Sequence, residues 1–219
     1  MYTTKNLFDL NNTIAKEYLE KYEYPWEALP EIKNFIKDLI NSLDKNEYKE
    51  IKENVWVHNS ATIAPSAYID GPTIIGKDSE IRHCAYIRGN AIIGEGVVIG
   101  NSCEVKNAII FNKSQVPHFN YVGDSILGYH AHMGAGSIVS NLKSDGKNIT
   151  VKDEFEKVET GLRKFGAIIG DNVEIGCNSV LNPGTVIGKN SNVYPLARVR
   201  GLVRENSIYK DEDNVVEKF

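Results

Sequence analysis

Long apolar runs are missing from this 219-residue chain, and none approaches the roughly 20 residues that a membrane-spanning helix needs. The first residues, M-Y-T-T-K-N, lack the apolar stretch of a signal peptide, so we expect a cytoplasmic protein with no membrane partner. The three cysteines form no C-x-x-C pair, which argues against a disulfide framework or a zinc knuckle. The net charge of −4 leaves no basic excess for nucleic acid.

A six-residue period is present instead. Nine successive Val or Ile residues lie six apart from Val57 to Val105, and a small or modest residue such as Ala61 or Ala85 follows each by four positions. Helical faces recur about every 3.6 residues and strand faces every second residue, so neither element alone explains the spacing. A hexapeptide solenoid does, because each unit of six forms one flat side of a coil.

Three such units close a coil of 18 residues whose interior is filled by Val and Ile. Successive coils stack as parallel strands roughly 4.8 Å apart, so residues 18 apart in sequence lie one above another. The period therefore predicts an all-β fold, a parallel β-helix, and the stacking rule places outward side chains relative to one another.

The repeat also divides the chain into segments. Residues 1–50 form an N-terminal segment with helical spacing at about 7–23 and 30–45. The solenoid covers 51–205 and is interrupted at 142–166 by a polar, charged insertion, which is longer than a turn and therefore suggests a function or an oligomer contact. Residues 206–219 form a polar tail.

The count of six fails between Phe111 and Val122, where Pro117 would fall on an inward site. One explanation is a bulge that accommodates the proline and leaves His118 merely on the surface. The other is that the irregularity displays His118 as a general base, since histidine is the side chain that titrates near neutral pH without perturbation.

Arg88 and Lys106 each follow an inward residue by one position and lie 18 apart, so the stacking rule places them on adjacent coils. Two stacked cations repel unless an anion lies between or over them, so removing Lys106 should leave the stability of the empty protein unchanged or slightly raised. The pair is either a clamp for a phosphate or carboxylate, or two solvated charges with Glu104 as counter-ion.

Residues 81–199 resemble the C-terminal acetyltransferase domain of the bifunctional N-acetylglucosamine-1-phosphate uridyltransferases, most of all the archaeal-type sugar-1-phosphate nucleotidylyltransferase/acetyltransferases. The matching words include A-Y-I-R-G-N, E-V-K-N-A-I-I, P-H-F-N-Y-V-G-D and M-G-A-G-S-I-V-S-N. Y-P-W-E-A-L, near the N-terminus, resembles the segment that joins the two halves of the archaeal-type enzymes. The Gly-rich loop of a nucleotidyltransferase half is absent, so we expect the acyl step only.

The resemblance implies an acetyl-CoA-dependent N-acetyltransferase that acts on glucosamine or galactosamine 1-phosphate in nucleotide-sugar biosynthesis. It implies that His118 is the base, that Arg88 and Lys106 hold the 1-phosphate, and that the N–H of Ala135 stabilises the oxyanion. The other residues implied are Tyr121, His132, Asn141 and Lys147 for the substrate, with Lys143 as the alternative to Lys147, and Cys177 and Pro195 for coenzyme A. His132 replaces a bacterial asparagine that touches the sugar, and Pro195 replaces a small residue.

The same resemblance implies a left-handed β-helix and a homotrimer. Trimerisation is chemically reasonable because a prism has flat sides and no deep cleft, so a pocket has to form between subunits. Acetyl transfer from coenzyme A requires no metal, and the partners expected are small molecules.

Two other classes stay open. A γ-type carbonic anhydrase uses the same solenoid with three histidines on zinc, for which His83, His118, His130 and His132 are available. A non-catalytic scaffold, whose N-terminal helices bind a partner, is the second. The residues also leave open which amine is acylated and whether it carries a 1-phosphate.

Overall fold

The computed structural model describes residues 2–152 and 156–218, and most of its strands stack as parallel rungs of a solenoid. Each coil contributes one strand to each of three faces, which confirms the predicted parallel β-helix. Within the described residues, no helix combines the length and apolarity required to span a membrane.

We name the faces by what lies on them. The helix-covered face consists of Val55–His58, Thr73–Ile75, Ala91–Ile93, residues 108–110 of the strand Glu104–Ile110, residues 125–127 of Tyr121–Leu127, Ala167–Ile169, Thr185–Ile187 and Leu202–Val203. The open face consists of Thr62–Ile63, Glu80–Ile81, Val98–Asn101, Gln115–His118, His132–Met133, Glu174–Ile175, Asn192–Val193 and Ser207–Asp211. The tyrosine face consists of Tyr68–Ile69, Tyr86–Ile87, residues 104–105 and 121–122, Ile138–Val139, Val180–Leu181 and Arg198–Val199.

The interior is filled by the Val and Ile residues that the period identifies. Ile75, Ile93 and Ile110 pair in register on successive coils, and each is at most 1% exposed. Small residues are buried beside them, including Ala85 and the free thiol of Cys103. Full burial of one such aliphatic side chain contributes about 1.5–3 kcal/mol, so this ladder is the main source of stability of the solenoid.

The N-terminal segment is a series of short helices rather than the two expected. Helices cover Thr4–Leu7, Lys16–Leu19 and Ile32–Ile40, with 3₁₀ turns at Leu10–Asn12 and Pro25–Glu31. The continuous helix predicted for residues 7–23 is therefore wrong, whereas that for 30–45 is confirmed in its central part. Asp9 accepts a hydrogen bond from the N–H of Asn11, and Thr13 accepts one from Ala15. Short polar side chains that bond to nearby backbone in this way compete with helix formation.

These helices cover one side of the solenoid. On that side, the residue before the inward position is also apolar and buried on six of the eight coils; the set is Ile74, Ile92, Ile109, Ile126, Ile168 and Val186. Trp26, Ile32 and Ile36 of the N-terminal segment belong to the same buried cluster. The segment is thus part of the fold, and the apolar doublets T-I-I and A-I-I mark the face that it covers.

The register slip lies earlier than the sequence suggests. Val105 and Ile110 are consecutive inward residues only five apart, and Val122 and Leu127 repeat this on the next coil. The strand Gln115–His118, by contrast, pairs in register with Val98–Asn101, and His118 lies opposite Asn101. The expectation that an irregularity displays His118 is therefore wrong, because its corner has the ordinary length. The shortened corners carry Lys106, Asn107, Gly123 and Asp124 instead.

Pro117 is accommodated by the coil beneath it. A Cβ on Gly100 would lie 1.5 Å from the carbonyl oxygen of Pro117, so the missing side chain makes room for the proline. Pro117 and Val116 are both buried, and the strand pairing resumes at His118 opposite Asn101, so the proline does not interrupt the ladder.

The insertion at 142–166 leaves the corner between the tyrosine face and the helix-covered face. It contains a two-stranded antiparallel hairpin, Thr150–Lys152 with Lys157–Glu159; residues 153–155 of the predicted loop lie outside the described residues. Ile149, Val151 and Phe165 are fully buried in the cluster of the N-terminal helices, and Phe165 lies 5.8 Å from the ring of Trp26. The insertion is therefore packed onto the solenoid.

Antiparallel pairs close both ends. Tyr48–Lys52 pairs with Val55–His58 at the start, and Asn214–Glu217 pairs with Ser207–Asp211 at the end. Tyr209 fills an inward position and is 5% exposed, so the last coil extends beyond the boundary at residue 206 that the sequence suggests. Both hairpins occupy edges that would otherwise present unpaired backbone groups.

Candidate active site

His118, Ala135, Cys177 and Pro195 occupy the same corner on four successive coils, between the open face and the tyrosine face. Backbone hydrogen bonds of 2.8–2.9 Å join the corners of this column. They run from the N–H of Gly136 to the carbonyl of His118, from Asn178 to Ala135 and from Leu196 to Cys177. The family resemblance implies that these four residues take part in catalysis and coenzyme A binding, and the structure brings them into one line. Stacked corners follow the solenoid axis, so the column is a straight, exposed track.

A buried asparagine holds the His118 corner. The side-chain oxygen of Asn120 accepts the N–H of His118 at 3.0 Å, and its amide donates to the carbonyls of Gly134 and Ser137 at 2.8 and 3.1 Å. Phe119, which lies between His118 and Asn120, is exposed and has a φ of +53°. Asn120 therefore fixes the backbone on both sides of this turn, while the imidazole of His118 is left exposed to solvent.

A cluster of polar side chains lies on the next part of the same coils. Lys106, Tyr121, Asn141 and the previously unassigned Asp124 meet where the tyrosine face turns toward the helix-covered face. The amide of Asn141 donates to the Tyr121 hydroxyl at 3.1 Å and to Asp124 Oδ2 at 2.5 Å. A Cβ on Gly123 would lie 2.5 Å from the Tyr121 hydroxyl, so a larger residue here would displace this pair.

Asp124 is the centre of the cluster. Its carboxylate is 7% exposed and accepts Lys106 Nζ at 3.1 Å, Asn107 Nδ2 at 2.9 Å and Asn141 Nδ2. A buried carboxylate is tolerated only when its oxygens are bonded in this way. Asp124 is not among the residues predicted from the sequence, although it is the last letter of the matching word Y-V-G-D.

Tyr121 is half-buried beside these charges. Burial raises the pKa of its phenol, and the carboxylates of Asp124 and Glu104 raise it further. The hydroxyl oxygen already accepts a hydrogen bond from Asn141, so its proton is available to a ligand. Tyr121 is therefore a neutral hydrogen-bond donor on this face.

Arg88 and Lys106 stack on adjacent coils as expected, but each has its own carboxylate. Arg88 Nη1 lies 2.6 Å from Glu104 Oε1, and this hydrogen bond raises the pKa of the guanidinium. Lys106 pairs with Asp124. The expectation of unrelieved repulsion is therefore wrong, because Glu104 and Asp124 neutralise the pair without a bound anion.

His132 and Lys147 lie apart from this cluster. His132 is on the open face, where its Nδ1 is 2.8 Å from Glu174 Oε2. Lys147 is exposed on the insertion, and Lys143 pairs with Asp145 at 3.6 Å. Over residues 2–152 and 156–218, no group of three or more His, Cys, Asp or Glu side chains is arranged to hold a metal ion.

Known families match both halves of the solenoid. Residues 71–160 match the GMPPB C-terminal domain, and residues 166–201 match the bacterial transferase hexapeptide of six repeats. The chain is 34% identical over 197 residues to the bifunctional protein GlmU of Methanococcus vannielii, covering 89% of this chain and 47% of that protein. It is 35% identical over 217 residues to the bifunctional sugar-1-phosphate nucleotidylyltransferase/acetyltransferase of Sulfurisphaera tokodaii, covering 93% and 54%. The chain thus spans about half the length of the curated relatives it matches.

Similar solved structures are more distant. The acetyltransferase domain of PglB from Neisseria gonorrhoeae, in complex with acetyl coenzyme A, covers 85% of this chain and 67% of its own, at 14% identity and a TM-score of 0.37. The polySia-specific acetyltransferase NeuO covers 76% and 88%, at 12% identity and a TM-score of 0.45.

Proposed function

Because this chain belongs to the hexapeptide-repeat family that includes the C-terminal half of the bifunctional GlmU proteins, we propose that it is an acetyl-CoA-dependent N-acetyltransferase for an amino-sugar 1-phosphate. One observation carries the proposal. The His118 column and the Lys106–Tyr121–Asn141 cluster adjoin on the same coil, with His118 and Tyr121 on either side of one two-residue corner.

His118 is proposed as the general base. Its imidazole is exposed at a corner that Asn120 fixes from below, so it is held in place and yet accessible to substrate. It takes a proton from the substrate amine as the nitrogen forms a bond to the acetyl carbon, and the sulfur of coenzyme A leaves as the thiolate. A neutral imidazole is suited to this step near neutral pH.

The 1-phosphate is proposed to bind at Arg88 and Lys106. Arg88 is 43% exposed on its side chain and can present its fork to a phosphate, in exchange for Glu104. Lys106 supplies a second positive charge from the next coil, anchored by Asp124. The hydroxyl of Tyr121 and the amide of Asn141 would then contact the sugar and its amino group.

Acetyl-CoA is proposed to lie along the column, held at Ala135, Cys177 and Pro195, where it supplies the activated acetyl group. The chain fits an elongated group there, because the column carries no long side chain above His118 and the neighbouring Leu196 is 78% exposed. Among the described residues, the N–H of Ala135 makes no backbone hydrogen bond, so it is free to bind a carbonyl oxygen.

A homotrimer is part of the proposal. The outward residues of the tyrosine face include Tyr68, Ile138 and Val180, which are 57%, 42% and 39% exposed. A row of apolar groups on a flat face favours burial against another subunit, and a second chain would complete the shallow site. Lys147, on the insertion that leaves the edge of this face, is then a candidate for a contact across that interface, and His132, on the open face, is proposed to contact the substrate. The proposed location is the cytoplasm.

A thiol-release assay tests the proposal directly. Acetyl-CoA would be incubated with glucosamine, galactosamine and the 1-phosphate of each, and free coenzyme A would be followed with a disulfide reagent. We expect turnover with a 1-phosphorylated amino sugar and at least a tenfold lower kcat/KM without the phosphate, since a charge-assisted contact is worth more than about 1.4 kcal/mol. Absence of thiol release with all four amines would refute the assignment, and equal rates would refute the phosphate subsite.

A further inference from the structure

The corner between the tyrosine face and the helix-covered face differs from the other corners of the solenoid. On two successive coils it is one residue short, and it carries Asn107 and Asp124, whose φ angles are +47° and +50°. Residues other than glycine adopt such left-handed angles at a cost of roughly 1 kcal/mol or more, which side-chain contacts at the corner can offset. The two residues contact each other, because Asn107 Nδ2 donates a hydrogen bond to Asp124 Oδ1 at 2.9 Å.

Asn107 also reaches the N-terminal segment. The same amide nitrogen lies 3.2 Å from the carbonyl oxygen of Leu29, in the 3₁₀ turn Pro25–Glu31. An amide nitrogen has two hydrogens, so both are accounted for by Leu29 and Asp124. The backbone of the N-terminal segment thus orients the Asn107 side chain.

Asp124 in turn orients the proposed substrate-binding side chains of Lys106 and Asn141. Its Oδ2 accepts both Lys106 and Asn141, and the carboxylate is 7% exposed. The two amide hydrogens of Asn141 are taken by Asp124 and by the Tyr121 hydroxyl. In the described part of the chain its Oδ1 has no hydrogen-bond partner, so it remains an acceptor suited to the N–H of an amine.

We infer that Asn107 and Asp124 are positioning residues, through which the Leu29 carbonyl of the N-terminal segment sets the direction of the Lys106 ammonium and of the Asn141 acceptor. The inference rests on the proposed function for the roles of Lys106 and Asn141. It makes the N-terminal segment a part of the site in addition to a cover for the solenoid.

Asn107→Gly and Asp124→Asn test the inference, with Asn90→Gly as the matched control. Asn90 has a φ of +52° at the corresponding corner one coil earlier, and its side chain makes no hydrogen bond among the described residues. Glycine removes each side chain without strain at a left-handed position. In Asp124→Asn, the new amide hydrogens would face those of Asn141 and the Lys106 ammonium, so the donors conflict.

We expect Asn107→Gly to raise KM for an amino-sugar 1-phosphate roughly 10-fold, and Asp124→Asn up to about 100-fold, because a misdirected Lys106 ammonium loses part of its charge-assisted contact with the phosphate. The turnover number should change less, and Asn90→Gly should match the wild type in both. Equal kinetics for Asn107→Gly and Asn90→Gly would overturn the inference. A lower KM in Asp124→Asn would also overturn it, because Asp124 would then compete with the phosphate for Lys106.

A second measurement does not depend on activity. The rate at which an amine-reactive ester modifies Lys106, read from its peptide by mass spectrometry, should rise several-fold in Asn107→Gly and in Asp124→Asn but not in Asn90→Gly. If the wild type acetylates no amino sugar while Lys106 reactivity changes as stated, the proposed function fails and the positioning network stands. If reactivity does not change in either variant, the network fails whatever the enzyme does.

Discussion

The helix-covered face and the tyrosine face use the same rungs for opposite purposes. Ile92 precedes the inward Ile93 on one face, and Tyr86 precedes the inward Ile87 on the other, yet Ile92 is fully buried and Tyr86 is 39% exposed. The difference follows from the N-terminal helices, whose buried side chains pack against the outward residues of the first face. A β-helix is therefore stabilised by its core and by one covered side, and the other sides are free to carry chemistry.

This comparison separates variants by what they change. On the helix-covered face, substitutions should lower stability and leave the reaction unaffected in the protein that stays folded. On the tyrosine face and its corners, substitutions should chiefly lower activity, and stability should fall only where a buried charge such as Asp124 loses a partner. The predictions below test that separation, beginning with the largest effect.

His118→Ala should lower kcat about 10²–10⁴-fold, the usual contribution of a positioned base. The side chain is exposed and its backbone is held by Asn120, so the melting temperature should stay within about 1 °C of the wild type. The thiol-release assay measures kcat, and thermal denaturation measures the melting temperature. His83→Ala is the matched control, since His83 occupies the same corner two coils earlier. The N–H of Phe119 donates to the carbonyl of Asn101, and the N–H of Ser102 donates to the carbonyl of His83, so the three corners stack. Near-normal turnover in His118→Ala would exclude it as the base.

Ile92→Ala should give the largest loss of stability, about 2–5 kcal/mol, because it leaves a cavity between the solenoid and the N-terminal helices. Val180→Ala, at the equivalent outward position on the tyrosine face and 39% exposed, should cost less than about 1 kcal/mol in the monomer. Urea denaturation gives both values. Similar losses in the two variants would mean that the tyrosine face is buried as well, which subunit association would explain.

How far the sequence predicts this molecule depends on the kind of order involved. The inward ladder is predictable because one residue type recurs with a fixed period, as Ile75, Ile81 and Ile87 show. Doublets of adjacent apolar residues, such as Ile92 with Ile93, also indicate the helix-covered face. A search for one inward residue per repeat does not detect them. The helical pattern at 7–23 misled because the local hydrogen bonds of Asp9 and Thr13 outweigh periodicity.

The candidate site was predictable in part. The 18-residue rule placed Arg88 beside Lys106, and the family resemblance supplied His118 and Asn141. Glu104 was named only as the counter-ion of the alternative interpretation, and it does pair with Arg88. Asp124 was not predicted, because its pairing with Lys106 depends on side-chain directions that a one-dimensional count does not contain. The rule also fails where coils are not 18 residues long, as with Cys177, which lies above Ala135 only because the insertion lengthens that coil.

Arg88→Met and Lys106→Met should both raise KM for a 1-phosphorylated amino sugar, by about 10–100-fold, and change activity on the unphosphorylated sugar little. Their effects on stability should differ. Arg88 forms a surface pair worth about 0–1 kcal/mol. Lys106→Met leaves the buried Asp124 charge with only amide partners, so we expect a loss of about 1–3 kcal/mol, in place of the small gain that repulsion predicted. Equal KM effects on both sugars would exclude the clamp.

Tyr121→Phe should have the smallest effect, a loss of about 0.5–1.5 kcal/mol for the hydrogen bond from Asn141. Burial raises the pKa of Tyr121 above its usual value near 10, so the fold favours the neutral phenol. Its contribution to stability is therefore complete below pH 10 and is lost as the pH rises through the pKa of the folded state. The difference in the free energy of unfolding between the wild type and Tyr121→Phe should stay constant from pH 7 to about 9.5 and shrink above that pH. Tyr68→Phe, on the exposed part of the same face, serves as the control. A difference that grows between pH 8 and 9 would mean that the phenol of the folded protein ionises below its usual pKa, and Tyr121 would then be no dependable hydrogen-bond donor to a substrate.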